Sequence, residues 1–171
     1  MKNLIAIVAC LIINVALAQE TTTIYLIRHA EKASDGTTDP GLSDAGMDRT
    51  KKWGDYFQDK NISTYYMTKY KRAVETATYT NGQVMSLLSK PGTTYNIMMK
   101  NYDPMSLSLK DVAKENKGKN IVIVGHSNTI PAQINALIGE KKYADMQENE
   151  YGNLYIIKIT DDKITHELVK M

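Results

Sequence analysis

Ile121-Val122-Ile123-Val124-Gly125-His126 is a run of four β-branched residues that ends on glycine and histidine. An unbroken apolar run of this length reads as a strand buried on both faces, the central strand of a parallel sheet. Far upstream, Ile24-Tyr25-Leu26-Ile27-Arg28-His29 has the same form and also ends on histidine. Working outward from these two segments, strand and helix alternate. Thr23 to Ile27 is a strand, followed by a polar loop over Lys32 to Gly41. Ser43 suits the N-cap of a helix running to about Lys60, with Thr50, Trp53 and Phe57 on its inner face. Thr64 to Met67 is a short strand, and a helix from Lys71 to Leu88 turns Ala73, Ala77, Val84 and Leu88 inward before Ser89 to Gly92 stops it. Tyr95 to Met98 reads as a third strand, and Leu107 to Lys117 as a helix ended by Gly118. After the central strand, Thr129-Ile130-Pro131 opens a helix with Ile134, Leu137 and Ile138 buried, and Gly139 closes it. Leu154 to Thr160 and Lys163 to Val169 form a hairpin around Asp161-Asp162. This order implies an α/β fold: a three-layer α/β/α sandwich with a mainly parallel central sheet and a C-terminal β-hairpin.

The 171 residues are 43% hydrophobic and 23% charged, which suits one soluble globular domain with a real core. A net charge of +2, with no long basic run, argues against nucleic acid as a partner. Residues 1–18 read as a signal peptide. Met1-Lys2-Asn3 is a positive start, Leu4 to Ala16 is almost wholly apolar, and Ala16-Leu17-Ala18 offers small residues for cleavage. The domain then spans residues 19–171, exported to the periplasm or beyond, with no stable membrane insertion. A rival is lipidation at Ile7-Val8-Ala9-Cys10, which leaves a short apolar core. Cys10 is the only cysteine, so cleavage would remove every thiol.

In open parallel sheets ligands bind beyond the carboxyl ends of the strands. Arg28-His29 and Gly125-His126 both occupy such ends, and Arg72 lies at the start of the helix that follows the second strand. Two arginines and two imidazoles can grip a phosphoryl group and attack its phosphorus. His29 is the expected nucleophile, oriented by a backbone carbonyl. Arg28 and Arg72 supply the clamp, and His126 acts as a cation or hydrogen-bond donor to the phosphoryl oxygens. Lys32 and Asn128 are candidate substrate-binding residues, and Lys69 and Lys71 raise the local potential. Side chains supply the positive charge, so neither a metal nor another cofactor is expected. The general acid stays open among Asp103, Glu31, Glu148 and Glu150. His166 has no motif around it and receives no role.

These segments resemble the histidine phosphatase superfamily, phosphoglycerate mutase-like branch. Arg28-His29-Ala30-Glu31-Lys32 is similar to its Arg-His-Gly/Ala-Glu motif, and Leu42-Ser43-Asp44-Ala45-Gly46 to its Leu-Thr/Ser-x-x-Gly segment. Arg72-Ala73-Val74-Glu75-Thr76-Ala77 resembles Arg-Ala-x-Glu/Gln-Thr-Ala, and Gly125-His126 the second Gly-His. The resemblance implies a phosphoglycerate mutase-like sandwich. It also implies phosphoryl transfer to His29 and a phosphate pocket of Arg28, Arg72 and His126. The short chain is more similar to the small bacterial phosphatases than to the mutases. Met98 to Pro104 lacks the glutamate that mutases carry there, and Gly125-His126-Ser127-Asn128 replaces the His-Asp pair of the acid-phosphatase branch. The expected activity is hydrolysis of a phosphomonoester, on a small molecule or a phosphoprotein, through a phosphohistidine. The alternatives are a phosphate-binding module without catalysis and a phosphohistidine-protein phosphatase.

Overall fold

The computed structural model describes residues 20–89, 95–161 and 163–171. The proposed signal peptide, the end of the Ser89 to Gly92 stop and Asp162 of the hairpin turn lie outside the described residues. The elements are β1 (Thr21–Arg28), α1 (Asp44–Phe57), β2 (Ile62–Met67), α2 (Lys71–Leu88), β3 (Met98–Asn101), α3 (Leu109–Glu115), β4 (Asn120–Gly125), α4 (Thr129–Ile138), β5 (Asn153–Thr160) and β6 (Lys163–Lys170). They form one six-stranded sheet in the order β3-β2-β4-β1-β5-β6. The β3-β2, β2-β4 and β4-β1 pairs are parallel, and the β1-β5 and β5-β6 pairs are antiparallel.

Side-chain alternation along the central strands explains the three layers. Tyr25, Ile27, Val122 and Val124 point to one face, where they pack with Trp53 and Phe57 of α1 and Ala73, Ala77 and Val84 of α2. Ile24, Leu26, Ile121 and Ile123 point to the other, against Leu109, Val112 and Ala113 of α3 and Ile130 and Ile134 of α4. Both faces of β1 and β4 are therefore covered, as a continuous apolar run requires. Leu137 and Ile138, expected fully inside, are only half-buried at the margin of the second core.

The structure shifts some boundaries. The third strand begins at Met98, three residues later than the apolar pattern predicts, and its side chains are mostly exposed. It is an edge strand, so backbone pairing with β2 (Thr64 opposite Met98, Met67 opposite Asn101) defines it rather than burial. The first helix stops at Phe57 instead of Lys60, and the chain then turns through Asn61 in a left-handed conformation (φ 49°). Asparagine tolerates that geometry better than most residues. The Ser108 side chain caps α3 by accepting from the Asp111 amide, which delays that helix to Leu109.

Candidate active site

Strand register brings the two histidines together. In the parallel β1-β4 pair, Ile27 lies opposite Val124 and Arg28 opposite Gly125. His29 and His126 each follow one of the last paired residues. The His29 amide donates to the Gly125 carbonyl at 2.9 Å, and the ring centroids are 5.4 Å apart. Gly125 leaves room for two neighbouring side chains. A Cβ there would sit 2.8 Å from the Tyr102 hydroxyl and 2.9 Å from Ile130.

His29 is only 4% exposed. Its Nδ1 lies 2.8 Å from the Ala30 carbonyl oxygen. A carbonyl only accepts, so Nδ1 carries the proton and Nε2 keeps its lone pair. Burial pulls the pKa of His29 down to about 3. The Ala30 carbonyl opposes this, and the charges of Arg72, His126 and Arg28 reinforce it. The imidazole is therefore neutral at ordinary pH.

Arg28 is 3% exposed. Its Nη1 donates to the carbonyls of Gln147, Glu148 and Glu150 at 2.8, 3.1 and 3.2 Å. Its guanidinium stacks 4.2 Å over the Tyr151 ring, which lies 6.1 Å from the His29 ring. Arg72 repeats the arrangement from the first turn of α2. Its Nη1 meets Asp39 Oδ1 at 3.4 Å, and its guanidinium lies 4.6 Å from the centre of the Tyr70 ring. In both arginines Nε is buried and has no hydrogen-bond partner in the protein. Glu75, the helical partner one turn on from Arg72, instead accepts from the Leu42 amide at 2.7 Å.

His126 meets Thr68 Oγ1 through Nε2 at 3.0 Å, and the Tyr70 ring stands edge-on to it at 5.2 Å. Burial first, then Arg72 and Arg28, lower its pKa to about 4. Without a bound anion His126 is therefore neutral at neutral pH. Both guanidiniums act on both imidazoles, so the four side chains share one neighbourhood.

The remaining predicted residues divide. Lys32 is exposed and joins Leu42 through a backbone bridge. Asn128 precedes α4, exposed and without a side-chain cap bond. Three carboxylates proposed as the acid have partners within the protein. Glu31 is gripped by Arg49 through Nε and Nη2 (2.8 and 2.6 Å), Asp103 accepts from the Met105 amide, and Glu150 accepts from the Gln147 amide and pairs with Lys170. Glu148 is largely exposed, with Oε2 3.6 Å from Arg28 Nη2.

Sequence reasoning assigned no part to Thr68, Tyr70, Thr76, Tyr151 or Asp39. Thr76 stands inside a motif already singled out. Its hydroxyl donates to the Arg72 carbonyl at 2.7 Å and accepts from the Ala30 amide at 2.9 Å, tying the segment after His29 to α2. The carbonyls that hold Arg28 belong to backbone, which no residue type marks.

Gly46 shows why the Leu-Ser-x-x-Gly segment ends in glycine. A Cβ there would lie 2.3 Å from the Glu31 carbonyl oxygen, a backbone atom that also accepts from Ser43. Gly46→Ala is expected to lower unfolding free energy by about 3 kcal/mol, in the range of an overpacked core. Urea titration checks this, and a variant within ~0.5 kcal/mol of wild type, the usual range for a neutral surface change, would show the contact to be yielding.

The sequence model of the histidine phosphatase superfamily (branch 1) matches residues 24–90, the span that holds Arg28, His29 and Arg72. Over that span, short of half the chain, the sequence resembles the histidine phosphatase superfamily. Solved structures agree in fold. SixA of Agrobacterium tumefaciens, described as a candidate phosphohistidine phosphatase, is 20% identical with a TM-score of 0.59, covering 90% of this chain and 97% of its own. A protein histidine phosphatase SixA complexed with tungstate is 16% identical with a TM-score of 0.62, covering 86% and 96%. Phosphoglycerate mutase of Bacillus anthracis is 15% identical with a TM-score of 0.63, covering 88% and 93%. No curated protein matches the chain. The chain has the phosphoglycerate mutase-like fold, and no helix among its described residues is long and apolar enough to cross a membrane.

Proposed function

We propose that this protein is a phosphatase of the histidine phosphatase superfamily, that it hydrolyses phosphomonoesters through a phosphohistidine on His29, and that it works outside the cytoplasm. The observation that carries the mechanism is the pair of buried, unpartnered Nε donors of Arg28 and Arg72 beside a neutral His29. Buried donors without partners are costly, and a phosphoryl oxygen would satisfy each. Tungstate, a tetrahedral oxyanion, is the ligand of one SixA structure, and a phosphoryl group has the same shape. Export rests on residues 1–18 alone.

In this reading Nε2 of His29 attacks phosphorus and the bond from phosphorus to the leaving oxygen breaks. The leaving oxygen departs with a proton or as a stable anion. Water then attacks the phosphohistidine, a proton goes to bulk solvent, and orthophosphate leaves as the P–N bond breaks. Arg28, Arg72 and His126 bind the phosphoryl oxygens throughout, where charge shifts during transfer. Acid-quench experiments with a phosphorus-labelled aryl phosphate test the step. A protein-bound label that survives base and is lost in acid is expected. Release of product with no label at any quench time would rule out the intermediate. Among the described residues no three His, Cys, Asp or Glu gather as metal ligands would. Turnover is expected to persist in EDTA, and its loss, restored by a divalent ion, would require a metal in the mechanism.

A further inference from the structure

Each clamp arginine is anchored by Nη1 and keeps a buried Nε without a protein partner, but the anchors differ. Backbone carbonyls hold Arg28, whereas a single side chain, Asp39, holds Arg72. Asp39 comes from the polar loop after β1, which closes on itself through the Lys32–Leu42 bridge and an Ala33 amide to Gly41 carbonyl bond of 2.9 Å. Its two carboxylate oxygens both lie 3.1 Å from the Lys71 amide. Tyr70, at the N-cap position of α2, makes no side-chain cap bond, so Asp39 takes on that work from a distant loop.

We propose that Asp39 is a positioning residue for the phosphate clamp. It fixes the first turn of α2 by the Lys71 amide and the Arg72 fork by Nη1, so that Nε of Arg72 is aimed at the phosphoryl oxygens. The inference rests on the phosphate-clamp reading above. A fork is directional, and an arginine free to rotate would still be charged but would lose aligned hydrogen bonds. Misalignment of a group one contact away from the chemistry is enough to slow it.

A double-mutant cycle tests this with 4-nitrophenyl phosphate as substrate and orthophosphate as inhibitor. Asp39→Ala is expected to lower kcat/KM about tenfold and to weaken orthophosphate binding by a similar factor. In an Arg72→Lys background, where no fork remains to be aimed, the same substitution is expected to change both by less than about twofold. Equal losses in both backgrounds, or no loss in the wild-type background, would overturn the proposal. Should Asp39→Ala fail to fold, Asp39→Asn carries the cycle, because it keeps an acceptor for the Lys71 amide and removes the charge facing Arg72. A wild-type protein that binds orthophosphate but hydrolyses no ester would defeat the phosphatase reading while leaving the binding arm of the cycle to decide Asp39.

Discussion

His29→Ala is expected to lower kcat toward 4-nitrophenyl phosphate by at least about 10⁴-fold while leaving KM within a few-fold of wild type. The asymmetry follows from the geometry. His29 is held by its own neighbour, through Nδ1 on the Ala30 carbonyl, and removing its ring breaks no anchor of Arg28 or Arg72. The clamp would still bind the ester, so ground-state affinity persists. Water would then have to attack phosphorus directly, in a site built to present a ring nitrogen. Arg72→Ala should behave differently. In the proposed mechanism it removes a donor to the phosphoryl group before and during transfer, so KM should rise and kcat should fall by about 10²–10³-fold together. Steady-state kinetics on the two variants, with labelling in parallel, separates the roles. Retention of the acid-labile label in His29→Ala would move the nucleophile to His126, whose ring lies beside it.

Most of the fold could be read because its decisive signals are local. The four-residue β-branched run marks a doubly covered strand, and Trp53 and Phe57 repeat at helical spacing, so the layers followed. The edge strand β3 was displaced because an exposed edge is held by backbone bonds and has no burial pattern to read. The site was legible to the extent that its residues end strands or begin helices. Arg28, His29 and His126 could be found because their positions are set by β1 and β4 pairing in register. Their partners were not, since three of the contacts on Arg28 are to main-chain oxygens of a loop more than a hundred residues away. Protonation was also hidden. Histidine at its ordinary pKa of about 6.5 suggests a partly charged site, whereas burial, reinforced by the charges of Arg72 and Arg28, keeps both rings neutral in the free protein. The carboxylates illustrate the converse. Glu31 stands two residues after His29 and looks like a proton donor, yet Arg49 on α1 holds it in an ion pair.

That neutrality has a consequence for stability. The folded state holds His29 at a pKa of about 3, below the roughly 6.5 of an unfolded chain, so between these values the unfolded state binds more protons. Stability contributed by keeping the ring neutral is full above pH 6.5 and drains away as pH falls toward 3. At pH 4 the loss traceable to His29 is on the order of 3 kcal/mol, a large share of the stability of an ordinary domain. His126, lowered to about 4, acts in the same direction, but its partly solvated ring contributes less. Urea unfolding of wild type and His29→Gln at pH 7, 6, 5 and 4 measures the effect. The wild-type free energy should fall more steeply, by up to about 1.4 kcal/mol per pH unit relative to the variant. Parallel curves would mean that the ring accepts a proton in the folded protein as readily as in the unfolded one. A bound oxyanion should work against the trend. Its negative charge beside both imidazoles favours their protonated forms, so orthophosphate should raise both pKa values and flatten the acid limb of the wild-type curve. The same guanidinium pair that lowers the histidine pKa values in the free protein is the pair whose charge the anion would offset.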